Sequence, residues 1–398
     1  YKRQKQAYSN SINIVIGIIA GAINTIYILP RAFEAMPEDW GLVKILLSYA
    51  IISAHIFGFG IHNIVIREYS RYQKKAEKSA LMGLVLLLGF LGVLLIVFTN
   101  FITDGGIVHF INEDDTKAIS ENLYSYFLLS ISVILSQVFT GFIVSNHKTP
   151  MIQLVNETFL KSFYLIISVV YLITPYSFDL YLKLFTLSYI ISLITYIIYS
   201  LKLGLTINFN FSKLNLKETI TYGMYTVLDK GAAIIVGNLD LIMIGLLLNL
   251  ENVAFYTLAF YIGAVITIPQ RAILGPASPL VAKAIHEENH EQSNKLYKQS
   301  SINQLIMGGV IFIFIWINTE ALYAMIPEKF SGGMWVVFYI GLSKLFIMGT
   351  GVSGYIIIFS KYYKVNLLFN LILIALTIIT NYYLISSYGI VGAAIATA

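Results

Sequence analysis

Four polar residues interrupt a long apolar stretch in the middle of the chain. The segment TVLDKGAAIIVGNLDLIMIG, residues 226–245, carries Asp229, Lys230, Asn238 and Asp240. Eleven positions separate Asp229 from Asp240, which is three helical turns and places both carboxylates on one helix face. A charge at mid-bilayer costs about 2.5–3.5 kcal/mol on insertion scales. Asp229, Lys230 and Asp240 are therefore candidates for lining a hydrated cavity.

Ionisable side chains also occur within other apolar stretches. Glu157 and Lys161 are four residues apart, the spacing of an ion pair within one helix. Lys44, His55 and His62 follow at intervals of eleven and seven, which forms one stripe if their helix is continuous. Each has a structural alternative. Glu157 and Lys161 can neutralise each other, Lys44 can extend to the membrane surface, and the histidines can serve as packing residues.

Two further cations stand out by their position. Lys344 lies alone near the middle of an apolar stretch, and Arg271 follows Pro269 near the end of another. Arg271 can also be explained by the excess of basic residues on the cytoplasmic side of membrane proteins. Lys344 has no such explanation, so we predict that it contributes to substrate binding together with the Asp229–Asp240 stripe.

Several classes of chemistry are excluded or unsupported by the sequence. The chain has no cysteine, which excludes disulfides and thiolate metal sites. No phosphate-binding loop, H-x-x-x-H pair or G-x-S-x-G motif is present. The acidic cluster NEDD, residues 112–115, is typical of a solvated loop. We expect no catalytic residues, no metal, no cofactor and no nucleic-acid partner.

The composition indicates an all-α polytopic membrane protein. The chain of 398 residues is 57% apolar and only 12% charged, whereas soluble domains are about 25% charged. Apolar stretches of about 20 residues, the length that crosses a bilayer, recur from end to end. They predict eleven spans and the start of a twelfth, at residues 11–29, 41–66, 79–101, 122–145, 151–174, 179–201, 218–248, 253–275, 301–322, 334–359, 365–385 and from 389. The twelfth is expected to be truncated.

Basic residues alternate between the two sides of these spans. The KRQK segment, Arg67, Arg71, Lys74 and Lys75 fall on the same side as most later lysines. The opposite side holds few basic residues and several acids. The bias of basic residues towards the cytoplasm predicts a cytoplasmic N-terminus.

The two halves of the chain repeat a pattern. GFIVSNHK (141–148) and GYIIIFSK (354–361) share G-x-I-x4-K at an offset of 213 residues, and EDWG (38–41) matches ENVA (251–254) at the same offset. This predicts two parallel six-helix lobes with pseudo-twofold symmetry around a central cavity. The N-terminal lobe would be residues 1–201, a cytoplasmic linker 202–217 and the C-terminal lobe 218–398. The linker is expected to be either an amphipathic helix or a plain loop.

The chain resembles a known family over essentially its whole length, most closely in the second half. YTLAFYIGAVITIPQRAILGPASPLVAKAI, LYKQSS, GTGVSGYIIIFSKYYKV and NYYLISSYGIVGAAIATA are similar to polysaccharide biosynthesis proteins of the Wzx type. These are oligosaccharide-lipid flippases of the multidrug/oligosaccharidyl-lipid/polysaccharide superfamily. The resemblance implies two six-helix lobes around a central cavity. Where the lipid II branch carries an arginine, residues 256–263 read YTLAFYIG, so no head-group residue is carried over.

The resemblance also implies a function. It is the translocation of undecaprenyl-pyrophosphate-linked oligosaccharides, such as the O-antigen units of lipopolysaccharide, by alternating access. Its implied partners are the lipid-linked substrate, membrane lipids, a candidate coupling cation and polysaccharide assembly proteins, with the chain itself a monomer. The alternatives are a proton- or sodium-coupled drug antiporter of the same superfamily and a membrane-embedded polymerase or glycosyltransferase. A net basic cavity would favour the flippase, because a diphosphate requires cationic partners.

Overall fold

The computed structural model describes residues 2–102, 113–174, 176–360 and 363–398. Within these ranges the side chains of residues 2–11, 102, 113–114, 230, 272, 275–276, 363–364 and 366 are not described. Every regular element in the described ranges is helical, so the predicted all-α class is confirmed.

The helices are numbered in chain order. The first nine are α1 (Lys2–Ala22), α2 (Leu29–Ala32), α3 (Pro37–Ile56), α4 (Ile61–Arg71), α5 (Lys75–Ile102), α6 (Glu113–Glu121), α7 (Leu123–Ser145), α8 (Thr149–Gln153) and α9 (Leu160–Ile173). The others are α10 (Phe178–Lys202), α11 (Leu216–Leu247), α12 (Leu250–Ala264), α13 (Ile268–His286), α14 (His290–Ile317), α15 (Thr319–Ala324), α16 (Met334–Gly349), α17 (Ser353–Phe359) and α18 (Tyr363–Thr397). Wider π-helical turns at Ile23–Ile28 and Leu154–Phe159 join α1 to α2 and α8 to α9.

The predicted number of spans is confirmed within the described residues. Eleven helical stretches there are long and apolar enough to cross a membrane. The chain is therefore a multi-pass membrane protein. The eleven stretches are Ile12–Ala32, Pro37–Ile56, Lys75–Phe101, Leu123–Ser145, Thr149–Ile173, Phe178–Lys202, Leu216–Leu247, Leu250–Arg271, His290–Ile317, Glu328–Gly349 and Leu367–Thr397.

Helix breaks change the outline of several spans. The predicted second span, 41–66, is not one helix: α3 ends at Ile56 and α4 begins at Ile61. Two positive φ angles, 51° at Phe59 and 64° at Gly60, turn the chain between them. The last helix is likewise interrupted at Gly389, where φ is 59°. This break coincides with the predicted start of a twelfth span.

The chain divides into two compact units. The first contains residues 1–33 and 42–238, and the second contains residues 34–41 and 239–398. Helix α11 thus begins in the first unit and ends in the second. Residues 205–211 form no helix, so the loop alternative describes that part of the linker. The predicted lobe boundaries and pseudo-twofold symmetry stay predictions.

Each unit has its own apolar core. In the first unit, Ile61, Val65, Val85, Val138 and Phe142 pack where α4, α5 and α7 meet. In the second unit, helix α12 packs its buried residues against α16. The short segment 34–41 joins this second unit through Trp40, whose ring centroid lies 5.9 Å from that of Phe330. Burial of these faces, not local helix propensity, orients the helices.

The exposed surface is apolar along the spans. Phe101, Ile173, Phe314 and Leu94 are between 65% and 81% exposed. Large exposed apolar areas are costly in water and favourable in hydrocarbon. These side chains therefore form the lipid-facing surface, which explains why a protein with so little charge is stable as a multi-pass helix bundle.

Candidate functional site

The break between α3 and α4 creates a close approach to helix α11. A Cβ atom added at Gly60 would overlap Thr226 Oγ1 and would lie 2.5 Å from the carbonyl oxygen of Gly223. Only glycine combines a positive φ with so little space. Its neighbour Phe59 holds a positive φ without that freedom, which costs about 1–2 kcal/mol. The fold therefore retains a strained turn where the membrane-spanning helix α3 ends.

A polar cavity of about 410 Å³ lies beside this turn, within the first unit. Its walls come from the end of α3, the start of α4, α7 and the middle of α11. The lining residues are His55, Gly60, His62, Asn63, Ile66, Gln137, Thr226, Val227, Gly231 and Ile234. Because the turn ends one helix and starts another, it brings His55 and His62 to the same cavity although they do not share a continuous helix.

The contacts of the two histidines define which ring nitrogen carries hydrogen. His55 Nδ1 lies 2.8 Å from the carbonyl oxygen of Ile51, which can only accept a hydrogen bond. His62 Nδ1 lies 3.2 Å from Thr140 Oγ1. The Thr140 hydroxyl donates its only hydrogen to the carbonyl of Ser136 at 2.7 Å, so it accepts from His62. In the neutral state both rings therefore carry hydrogen on Nδ1 and keep Nε2 as an acceptor.

An amide from α7 supports the broken helix. Gln137 Nε2 donates a 3.2 Å hydrogen bond to the carbonyl oxygen of Ala54. Carbonyl groups near the end of a helix lack their usual backbone partners, and a side-chain donor supplies one. Gln137 therefore lines the cavity and also stabilises the end of α3.

The lining of this cavity is polar, and its described residues carry no charge as long as both histidines are neutral. Imidazole, amide and hydroxyl groups line it, and none of its described lining residues is a carboxylate, lysine or arginine. Such groups both donate and accept hydrogen bonds, which suits the hydroxyl groups of a sugar. Of these described lining residues, the two histidines are the ones that can acquire a positive charge, as imidazolium.

An ion network lies just past the cavity, at the far end of α4. Glu68 is 1% exposed, with its Oε1 atom 3.4 Å from Arg67 Nε and its Oε2 atom 3.6 Å from Arg71. Glu218 Oε1 lies 3.2 Å from Arg67 and 2.5 Å from Arg71. The Glu218 hydrogen bond raises the pKa of Arg71. The guanidinium of Arg67 also covers the ring of Tyr222 at 4.2 Å, so this network ties α4 to the beginning of α11.

Asp240 lies in the second unit, buried among hydrogen-bond donors. Its Oδ2 atom accepts from the Tyr256 hydroxyl at 2.7 Å and from Thr397 Oγ1 at 2.6 Å. Its Oδ1 atom accepts from Asn381 Nδ2 at 2.9 Å. The carboxylate therefore links α11, α12 and α18. Asp229 lies in the first unit and is half-buried, while the side chain of Lys230 lies outside the described residues.

Two predicted lysines lie over aromatic rings. Lys44 Nζ is 5.3 Å from the centroid of the Tyr164 ring in the first unit. Lys344 Nζ is 4.9 Å from the centroid of the Phe260 ring in the second unit. Its charge also interacts with that of Asp240. A ring face attracts an ammonium group without neutralising its charge.

The other predicted residues are placed separately. Lys161 Nζ lies 2.6 Å from Glu157 Oε2, with both side chains partly buried, so these charges neutralise each other. Arg271 is exposed in the second unit, on helix α13. Whether these residues or the lysines take part in transport stays a prediction.

Asn63, Gln137 and Thr226 line the cavity, but the sequence does not predict them as site residues. Each is a common polar residue in an apolar span, and nothing in the sequence marks them as neighbours. The turn itself had a signal in FGFG, residues 57–60, because two glycines close together favour a helix break. Among the described residues, no group of three or more His, Asp or Glu side chains could hold a metal ion.

Comparison with known structures identifies the fold. The structure is similar to the lipid II flippase MurJ in an inward closed conformation. The match covers 98% of this chain and 84% of MurJ, with a TM-score of 0.75 and 14% identity. It is also similar to an inward-facing multidrug resistance MATE family transporter of the MOP superfamily. That match covers 96% of this chain and 90% of the transporter, with a TM-score of 0.71 and 13% identity. For a mutant of the Vibrio cholerae MATE transporter VcmN, the coverage is 99% and 92%, the TM-score 0.59 and the identity 16%.

Sequence comparison gives the family. No curated protein matches the chain. A family model described as "Polysaccharide biosynthesis protein" matches residues 8–282, which is more than half of the sequence. The chain therefore has the fold of these transporters, as the resemblance to the multidrug/oligosaccharidyl-lipid/polysaccharide superfamily implied. The chain belongs to the polysaccharide biosynthesis protein family.

Proposed function

We propose that the protein translocates an undecaprenyl-pyrophosphate-linked oligosaccharide across the bacterial inner membrane by alternating access. The observation that carries the proposal is the polar cavity beside the α3–α4 turn, in a chain that belongs to a polysaccharide biosynthesis family. Sugars carry many hydroxyl groups, and the cavity offers imidazole, amide and hydroxyl partners for them. Its volume of about 410 Å³ is within the range of ligand pockets, about 300–1,000 Å³.

The diphosphate needs different partners from the sugars. The polar cavity beside the α3–α4 turn, hereafter the His55–His62 cavity, has no lysine or arginine among its described lining residues. We therefore assign the head-group to the cations Lys44, Lys230 and Lys344. Lys44 and Lys344 lie over aromatic rings, which attract an ammonium group without neutralising it, and Lys344 also interacts with the charge of Asp240. A membrane-exposed ammonium is costly, and a bound phosphate would offset that cost. We propose an N-terminus on the cytoplasmic side, as the distribution of basic residues predicts.

A deletion strain tests the proposed substrate. We expect lipid-linked oligosaccharide to accumulate in the cytoplasmic leaflet and the finished glycan to disappear from the cell surface. The wild-type gene restores export. Lys344→Ala and Lys230→Ala are expected to weaken it, whereas Lys344→Arg keeps the charge and serves as the control for geometry. Normal glycan export in the deletion strain would overturn the proposal.

The second candidate function is ion-coupled export of a small cation, as in an antiporter. Asp240 favours it, because the hydrogen-bond partners that the structure describes for this buried carboxylate are hydroxyl and amide groups. A proton or sodium ion could change its charge and so the packing of α11 against α12 and α18. Transport by reconstituted protein distinguishes the candidates: drug efflux that depends on an ion gradient and is lost in Asp240→Asn supports the antiporter. We expect no catalysis in either case.

A further inference from the structure

A second cavity of about 260 Å³ lies at the start of helix α5, in the first unit and separate from the His55–His62 cavity. The end of α4, the first turns of α5, the end of α7 and the segment that follows α10 surround it. Its lining residues are Tyr69, Gln73, Lys75, Lys78, Ser79, Met82, Phe142, Gly204 and Thr206.

Two ammonium groups face this cavity without an acidic partner. Lys75 and Lys78 are three residues apart on α5, so they lie on one helix face. None of the lining residues is acidic, and no described carboxylate lies within ion-pair distance of either lysine. Like charges at this spacing destabilise a helix. An anion between them would remove that repulsion.

Hydrogen bonds hold the cavity walls in place. Ser79 Oγ donates to the carbonyl oxygen of Lys75 at 2.8 Å and lies 2.5 Å from Thr206 Oγ1. The backbone nitrogen of Asn208 donates to the carbonyl of Ser79 at 3.0 Å. These bonds fasten the segment after α10 along α5. Lys78 Nζ lies 4.8 Å from the centroid of the Tyr69 ring, which positions the ammonium at the cavity.

We propose that this cavity binds a phosphate group, held by Lys75 and Lys78 with the Gln73 amide and the Tyr69 hydroxyl as neutral partners. The position of the cavity along helix α5 supports a phosphate ligand. Helix α5 enters its membrane span at Lys75, so the cavity lies at the depth of lipid head-groups, where basic side chains attract anionic lipids. The same chemistry could bind a soluble phosphate ester, and the experiment separates these two sources.

The test uses the full chain purified in detergent. One arm titrates phosphatidylglycerol and counts retained lipids by native mass spectrometry, and the other titrates inorganic phosphate and follows thermal stability. We expect saturable binding in one arm, weakened about fivefold by each of Lys75→Gln and Lys78→Gln. Lysine-dependent binding of phosphatidylglycerol alone identifies a lipid head-group. Lysine-dependent stabilisation by inorganic phosphate identifies a soluble ligand.

The matched control is Lys74→Gln, because Lys74 is exposed and adjacent but does not line the cavity. It should bind like the wild type. Equal binding by the wild type and the Lys75→Gln/Lys78→Gln variant in both arms would overturn the proposal, as would an equal loss in Lys74→Gln. If the double variant does not fold, the two single variants provide the same comparison.

Discussion

The Tyr256 hydroxyl donates its hydrogen to Asp240 Oδ2 across 2.7 Å, joining α12 to α11 inside the second unit. A hydrogen bond between helices in a membrane contributes about 0.6 kcal/mol on average, and at most about 1.7 kcal/mol in measured cases. We expect Tyr256→Phe to lower the free energy of unfolding by about 1 kcal/mol, measured by thermal unfolding in detergent. Tyr383→Phe, at a residue that is 66% exposed, is the control and should have no effect.

The turn between α3 and α4 should tolerate no side chain at Gly60. Gly60→Ala combines a left-handed φ of 64° with the close contacts to Thr226 and Gly223. Strain and overpacking together are expected to cost about 3 kcal/mol. Gly204→Ala is the matched control, since its φ is 84° but nothing lies within 4 Å of the added Cβ. Equal destabilisation of both variants would show that the Gly60 contacts carry no penalty.

Gly231 allows the His55–His62 cavity to be filled without removing a polar group. Gly231 lines the cavity, and an added Cβ would lie 3.9 Å from its nearest neighbour, Val227 Cγ1. Gly231→Ala should fold at least as well as the wild type and gain about 0.5–1 kcal/mol of helix stability. Gly231→Phe should also reach the membrane but reduce glycan export at least about tenfold, equivalent to about 1.4 kcal/mol. Normal export by Gly231→Phe would exclude this cavity from the substrate path.

The two acids of the ion network should differ in their effect on stability. Glu68 is 1% exposed, whereas Glu218 is 35% exposed. Breaking a fully buried ion pair costs about 3–5 kcal/mol. Arg67 and Arg71 are 41% and 51% exposed, so water can hydrate them when the Glu68 charge is removed. We therefore expect Glu68→Gln to lower the free energy of unfolding by about 2 kcal/mol.

Glu218→Gln should destabilise the protein less than Glu68→Gln does, because solvent screens an exposed pair. High salt should reduce the effect of Glu218→Gln and leave that of Glu68→Gln largely unchanged. Thermal unfolding of both variants at low and high salt measures the difference. A larger loss for Glu218→Gln would contradict the burial argument.

Hydropathy and residue spacing were sufficient to predict the membrane class. A bilayer span requires about 20 apolar residues, so composition alone predicts eleven spans, and the described structure contains them. Local spacing likewise predicts the contact between Glu157 and Lys161, because residues four apart on a helix are neighbours whatever surrounds them. The repeated motifs predict a duplication that remains to be tested.

Only the tertiary structure determined which distant residues meet. His55 and His62 share a cavity because the chain turns at residues 57–60, and that turn is maintained by packing of Gly60 against Thr226, 166 positions later. Asp240 finds its partners at Tyr256, Asn381 and Thr397, far apart in sequence. Helical periodicity specifies which face a side chain occupies, but many apolar faces are compatible with one another. The close contacts that select one packing arrangement depend on the three-dimensional fit of whole helices.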